Sequence, residues 1–190
     1  FVKSLEKKYD EVKKRIKGWS LDRESQCENP IKKLFLLGPS RSGKSTLEKL
    51  LAGSPNVCPM FENINLDVIT DTSILKVGHR VLNIEDIFYR DEKSLLSDGH
   101  NVITSTSPES IFHIDRLIDG FNNSFYILIK RDKIDIASEI FTKEYNNGNY
   151  YSYAHSSIHE YLNTYEVIWE LVSQKAFKRT LEISFEDLLT

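Results

Sequence analysis

Nine residues, Gly38-Pro39-Ser40-Arg41-Ser42-Gly43-Lys44-Ser45-Thr46, restrict what this chain can fold into more than any other stretch. They follow the apolar run Leu34-Phe35-Leu36-Leu37 and precede the helix-forming Leu47-Glu48-Lys49-Leu50-Leu51. The order is therefore strand, glycine-rich loop, helix, and it fits the G-x-x-x-x-G-K-[ST] pattern with the flanks that pattern needs. Gly38 and Gly43 let the backbone curl until its N–H groups line a concave nest. The following helix adds unpaired N–H groups and its positive dipole end, while Arg41 and Lys44 supply full charges. Such a loop holds phosphate or a chemically similar anion.

With 190 residues, 40% hydrophobic and 28% charged, the chain can bury a sizeable core of its own. A net charge of -3 gives no general electrostatic reason to expect nucleic acid as a partner, so any basic site must be local. The two cysteines, Cys27 and Cys58, form neither a disulfide framework nor a C-x-x-C pair, which points to free thiols in a reducing, cytoplasmic compartment. No apolar run approaches the ~18 residues of a membrane span. The first residue is Phe1 and not Met, from which a piece of a longer, multidomain chain is expected.

Taken in order, Val2, Leu5, Tyr9, Val12, Ile16 and Trp19 recur at steps of three and four, a heptad-like seam on a basic helix. The expectation is a connector helix and linker over residues 1–30, in which Gly18, Asp22, Ser25, Asn29 and Pro30 mark the loop, followed by one domain over 31–190. Beyond the phosphate loop and its helix, Gly53-Ser54-Pro55-Asn56 opens a second loop that carries Cys58 and Glu62. Strands are expected at Arg80–Ile84, Asn101–Thr104, Phe125–Ile129 and Thr180–Ser184, and helices at Pro108–Ile118, Ile134–Tyr145 and His155–Gln174, with a loop at Asn146–Asn149. The continuous apolar run Phe125-Tyr126-Ile127-Leu128-Ile129 suits a strand buried on both faces of a parallel sheet. Alternating strands and helices give an α/β sheet. Both the loop and Arg131 then fall at carboxyl ends of strands, where open α/β sheets bind ligands.

These segments resemble the sulfotransferases, in particular the tyrosylprotein type and the bacterial type joined to tetratricopeptide repeats. Leu36 to Gly43, the helix Leu47–Leu51 and Pro55-Asn56-Val57 are similar to that family's 5′-phosphosulfate loop, helix and following turn. Ile129-Lys130-Arg131-Asp132 is similar to its 3′-phosphate segment, Gly148, Tyr153, Tyr161, Tyr165 and Trp169 to its tyrosine-rich helix, and Phe185-Glu186-Asp187-Leu188 to its terminal motif. The resemblance covers about Lys33 to Leu188. It implies a three-layer P-loop sheet of mostly parallel strands with helices on both faces, preceded by the N-terminal helix. It further implies that 3′-phosphoadenosine 5′-phosphosulfate (PAPS) is cradled by Arg41, Ser42, Gly43, Lys44, Ser45 and Thr46, with Arg131 and Ser138 at its 3′-phosphate. Glu62 would be the catalytic base, with Lys44 and Arg41 beside the transferring group and a glycan, peptide or small molecule as acceptor.

Three positions depart from the family pattern. Lys44-Ser45 replaces a Thr-Thr pair and matches nucleotide triphosphatases instead; Thr106 stands where a strand lysine is expected; and Glu139 stands where the family has a serine. A carboxylate ~4 Å from a 3′-phosphate would cost roughly 4 kcal/mol at an effective dielectric near 20, unless Glu139 points away and Ser138 takes the serine's place. The alternatives are therefore a kinase or nucleotide hydrolase using ATP or GTP with Mg²⁺, Lys44, Ser45 and an acid such as Asp86, or a non-catalytic nucleotide-binding remnant. His155 and His159, at i and i+4, have metal-pair spacing but lack a third ligand and read as helix-surface residues. Of Tyr145, Tyr150, Tyr151, Tyr153, Tyr161 and Tyr165, at least half are expected in the core.

Overall fold

The computed structural model describes residues 2–21, 30–70, 82–143, 145 and 149–189. Strand β1, Lys32–Leu37, is the middle of a five-stranded parallel sheet. On one side of it lie β3, Val102–Ser105, and then β2, Val57–Pro59; on the other lie β4, Ser124–Lys130, and then β5, Thr180–Ser184. Phe35 is in register with Ser105 of β3 and with Tyr126 of β4.

The period-2 alternation of β1 and β4 sorts their side chains between two cores. Phe35, Leu37, Tyr126 and Leu128 point into the main one, where the Phe35 and Tyr126 rings stack 5.1 Å apart. Leu36 and Ile129 point into a smaller one on the opposite face, closed by Leu47 and Leu51 of helix α2, Lys44–Leu51, and by Phe185 and Leu188. Helices thus cover both faces, unequally. The second face leaves Phe125 at 39% exposure, so β4 is less covered there than its apolar run predicts.

The main core is roofed by α8, His155–Lys175, and by α1, Val2–Gly18, packed against it. Tyr9, Val12 and Ile16 of the heptad-like seam are buried there; the side chains of Val2 and Leu5 lie outside the described part. Arg15 fixes α1 from the side: its guanidinium donates to both carboxylate oxygens of Asp115, at 2.8 and 3.1 Å, and to the Phe112 carbonyl. Asp115 belongs to α6, Ile114–Gly120, which continues the 3₁₀ turn Pro108–His113.

Short helices α3, Asp67–Thr70, α4, Ile84–Phe88, and α5, Glu92–Ser97, precede β3. The strand expected at Arg80–Ile84 is not seen: Arg80 and Val81 lie outside the described residues, and Ile84 opens α4. The sheet's edge is filled instead by β2, whose three residues are too few to show a period. Helix α7, Lys133–Thr142, is capped by Asp132, whose carboxylate accepts from the N–H groups of Ile134 and Asp135. The expected loop residues Asp22, Ser25, Asn29 and Asn146 to Gly148, and Cys27, also lie outside the described residues, while Cys58 is buried as a free thiol. No helix among the described residues is long and apolar enough to cross a membrane.

Arg15→Ala would strand the Asp115 carboxylate, whose side chain is 6% exposed, without its cation. The expected loss is about 3 kcal/mol of unfolding free energy, measured by urea denaturation, because breaking a buried pair on one side leaves an uncompensated charge. A loss below about 0.5 kcal/mol would mean that α1 is not fastened there.

Candidate functional site

Strand β1 leads through α2 to β2 on one side of the sheet, whereas its neighbour β4 leads through α7 and α8 to β5 on the other. Connections leaving two adjacent strands in opposite directions open a crevice at their carboxyl ends, and ligands of such sheets bind there. The glycine-rich loop follows β1 at that place, and Arg131 follows β4. A cavity of about 280 Å³ occupies the crevice, lined by Arg41, Lys44, Glu62, Arg131, Glu139 and Phe185 among others.

The loop's curl shows in its backbone, with φ of 152° at Gly38, 70° at Arg41 and 102° at Gly43. At Gly43 the requirement for glycine is double, since a Cβ there would also run into the Phe185 ring. Two distant side chains hold the loop. The Gly38 N–H donates to the Tyr165 hydroxyl of α8 at 2.8 Å, and Arg131 donates to the Arg41 carbonyl at 2.9 Å. Tyr151 stacks on Tyr161 with centroids 4.0 Å apart and meets the Ser40 hydroxyl at 3.3 Å.

Lys44, 5% exposed, donates to the Pro39 carbonyl of its own loop at 2.7 Å. Burial pulls its ammonium down to about 8, against the opposing pull of the Glu62 charge. Glu62 is exposed on the loop beyond β2 and lines the same cavity. Its backbone is fixed by a group that sequence reasoning passed over. Glu48 of α2 is fully buried, and its Oε1 accepts from the Phe61 N–H at 3.0 Å and from the Thr104 hydroxyl at the end of β3. The Phe61 carbonyl in turn accepts from the Thr106 N–H at 2.7 Å. The signal was present in the sequence: Lys44, Leu47, Glu48 and Leu51 stand at i, i+3, i+4 and i+7, so the carboxylate lies in the buried stripe.

Of the predicted site residues, Arg41, Gly43, Lys44, Ser45, Thr46, Glu62 and Arg131 line the cavity together. Ser42 is buried behind it, with a hydroxyl that has no hydrogen-bond partner among the described residues. Ser138 is exposed on α7 and does not line the cavity; its neighbour Glu139 does, 3.5 Å from Arg131 and 3.8 Å from Arg41. Three lining residues, Ser40, Lys143 and Phe185, were not among the expected site residues, and the Arg131 guanidinium lies 4.9 Å from the Phe185 ring centroid. Asp86, read from the sequence as a candidate magnesium-binding acid, is exposed on the short helix α4, and residues 71–81 before it lie outside the described residues. His155 and His159 are exposed on α8, His155 stacked on Phe141, and no metal-holding cluster of three or more ligands occurs among the described residues. Tyr151, Tyr161 and Tyr165 are buried, Tyr150 and Tyr153 exposed.

No family model matches the chain, and no curated protein matches it. Among solved structures it is similar to the sulfotransferase STF1 from Mycobacterium tuberculosis H37Rv, with a TM-score of 0.52 at 10% identity over 85% of this chain and 64% of that one. A sulfotransferase from Alicyclobacillus acidocaldarius scores 0.49 at 15% identity, covering 86% of this chain and 76% of that one. A gluconokinase from Sinorhizobium meliloti 1021 scores 0.38 at 13% identity, over 83% and 84% of the two chains. The first of these likenesses places the chain in a sulfotransferase-like α/β fold, and this chain spans 64% of that structure's length.

The depressed Lys44 value has two consequences of fixed sign. Between about 8 and 10.5 the unfolded chain binds the lysine's proton and the folded one does not, so stability rises with pH through that window. An anion in the loop favours the charged lysine, so binding weakens as pH rises through 8. Calorimetric titration with sulfate, which does not itself titrate there, should show constant affinity from about pH 6.5 to 7.5 and a loss of up to tenfold per unit above 8. Lys44→Met should bind weakly with no such slope; a slope that survives this substitution would assign it to another group.

Proposed function

We propose that this chain is a sulfotransferase-like group transferase that moves a sulfuryl group from a nucleoside 5′-phosphosulfate to a hydroxyl of a glycan, peptide or small-molecule acceptor. The observation that carries this reading is the pairing of Glu62 with Lys44 across one cavity at the switch point of the sheet. Sulfuryl transfer needs both, a cation on the oxygen that leaves and a base for the oxygen that attacks.

Chemically, the acceptor oxygen forms a bond to sulfur as the bond from sulfur to the 5′-phosphate oxygen breaks. The electron pair of that bond stays on the phosphate, where Lys44 and the loop's N–H groups receive the charge. The acceptor proton passes to Glu62, and a general base of this kind contributes about 10² to 10⁴ in rate. Ser45 and Thr46 line the same cavity and help to seat the donor's anionic end. A second reading, phosphoryl transfer from ATP or GTP with Mg²⁺, draws on Lys44-Ser45, the residue pair of nucleotide triphosphatases. The two are separated by the metal: sulfuryl transfer proceeds in EDTA, phosphoryl transfer from a nucleoside triphosphate does not.

Glu62→Gln keeps the shape of the side chain and removes its basicity. Turnover, measured with labelled donor and a panel of hydroxyl acceptors, should fall by about a hundredfold or more while donor affinity stays nearly unchanged, since the base acts in the transition state. Sulfated product at the wild-type rate would remove Glu62 from this role.

A further inference from the structure

Lys44, Glu62, Arg41, Arg131 and Glu139 line one cavity. Arg41 and Arg131 already share a carboxylate there: Glu139 Oε2 lies 3.8 Å from the Arg41 Nε and its Oε1 lies 3.5 Å from an Arg131 terminal nitrogen. Arg131 is further committed to the Arg41 carbonyl and to the Phe185 ring. The guanidiniums therefore do not offer an empty anion site.

We infer that the nucleotide taken by this cavity carries all of its charge at the 5′ end and leaves its ribose hydroxyls free, and that Glu139 is the specificity-determining residue. The inference rests on the reading of the loop as a nucleotide's anion cradle. A carboxylate flanked by two guanidiniums accepts hydrogen bonds from neutral hydroxyls, the way acidic residues select ribose diols in dinucleotide-binding folds. A phosphate at those guanidiniums would have to displace Glu139 or sit against it, and the neighbouring Ser138 does not line the cavity to help it. The class of donor implied is a nucleoside 5′-phosphosulfate with an unmodified ribose, and not the 3′-phosphorylated donor that the family resemblance implies. Selectivity of this kind is moderate, because the Glu139 side chain is 46% exposed and its field is screened.

The test is calorimetric titration of the wild-type chain, Glu139→Gln and Glu139→Ser with adenosine 5′-monophosphate and adenosine 3′,5′-bisphosphate, which differ by one phosphate. The wild type should bind the monophosphate at least as tightly as the bisphosphate. Both variants should gain about ten- to a hundredfold for the bisphosphate, a range set by a screened like-charge contact, and less than about threefold for the monophosphate. A wild-type preference of about tenfold or more for the bisphosphate, unchanged in Glu139→Gln, would overturn the role of Glu139 while leaving the nucleotide reading in place. Binding of neither nucleotide by the folded wild type would overturn the nucleotide reading and this inference with it.

Discussion

The loop after β1 reverses direction within six residues, and beyond its own bond from the Ser42 N–H to the Pro39 carbonyl it is held from outside. Three positive φ values in that turn, one of them at the non-glycine Arg41, mark a conformation that persists where its surroundings over-determine it. The surroundings are the Tyr165 hydroxyl on the Gly38 N–H and the Arg131 guanidinium on the Arg41 carbonyl. Both come from the half of the chain that follows β4. The shape of the loop therefore depends on α8 and on the end of β4 as much as on its own glycines.

From that constraint the charges of the crevice follow. Lys44 is buried because α2 begins at the loop and packs on the second face of the sheet, and its ammonium donates to the Pro39 carbonyl. Glu48, one turn further along the same helix, spans to Phe61 and Thr104 and so ties the loop that carries Glu62 to the helix that follows the glycine-rich loop. The Phe61 N–H and the Thr104 hydroxyl would each cost about 1–3 kcal/mol if left unpaired; Glu48 Oε1 accepts from both, while its Oε2 is buried with no partner among the described residues. Arg131 serves two masters, brace of the loop and partner of Glu139, and neither requires a ligand.

Sequence reading captured those parts whose cause is local. The phosphate-loop pattern, the apolar run of β4, the strand Thr180–Ser184 and the helical spacing of Tyr9, Val12 and Ile16 each carry their own periodicity, and the structure has an element at each. What escaped it depends on contacts distant in sequence. Strand β2 is three residues long and is defined by pairing to Val102–Thr104, not by its own pattern. Glu48 stands in the buried stripe of α2 by its spacing, but its partners Phe61 and Thr104 are distant in sequence. The direction of Glu139 is settled by its distances to Arg41 and Arg131, which no spacing along α7 could give. Phe185 reaches the cavity because β5 lies beside β4, an arrangement visible after the strand order is known.

Everything said of function depends on the loop after β1 binding a nucleotide's anionic end through Lys44. Calorimetric titration of adenosine 5′-monophosphate into the wild type and Lys44→Ala, with circular dichroism melts of both, tests this directly. Binding should be lost in the variant, or weakened by about a hundredfold or more as for a charge-assisted contact, while its melting temperature stays within a few degrees of the wild type. Equal affinity in the two proteins would contradict it.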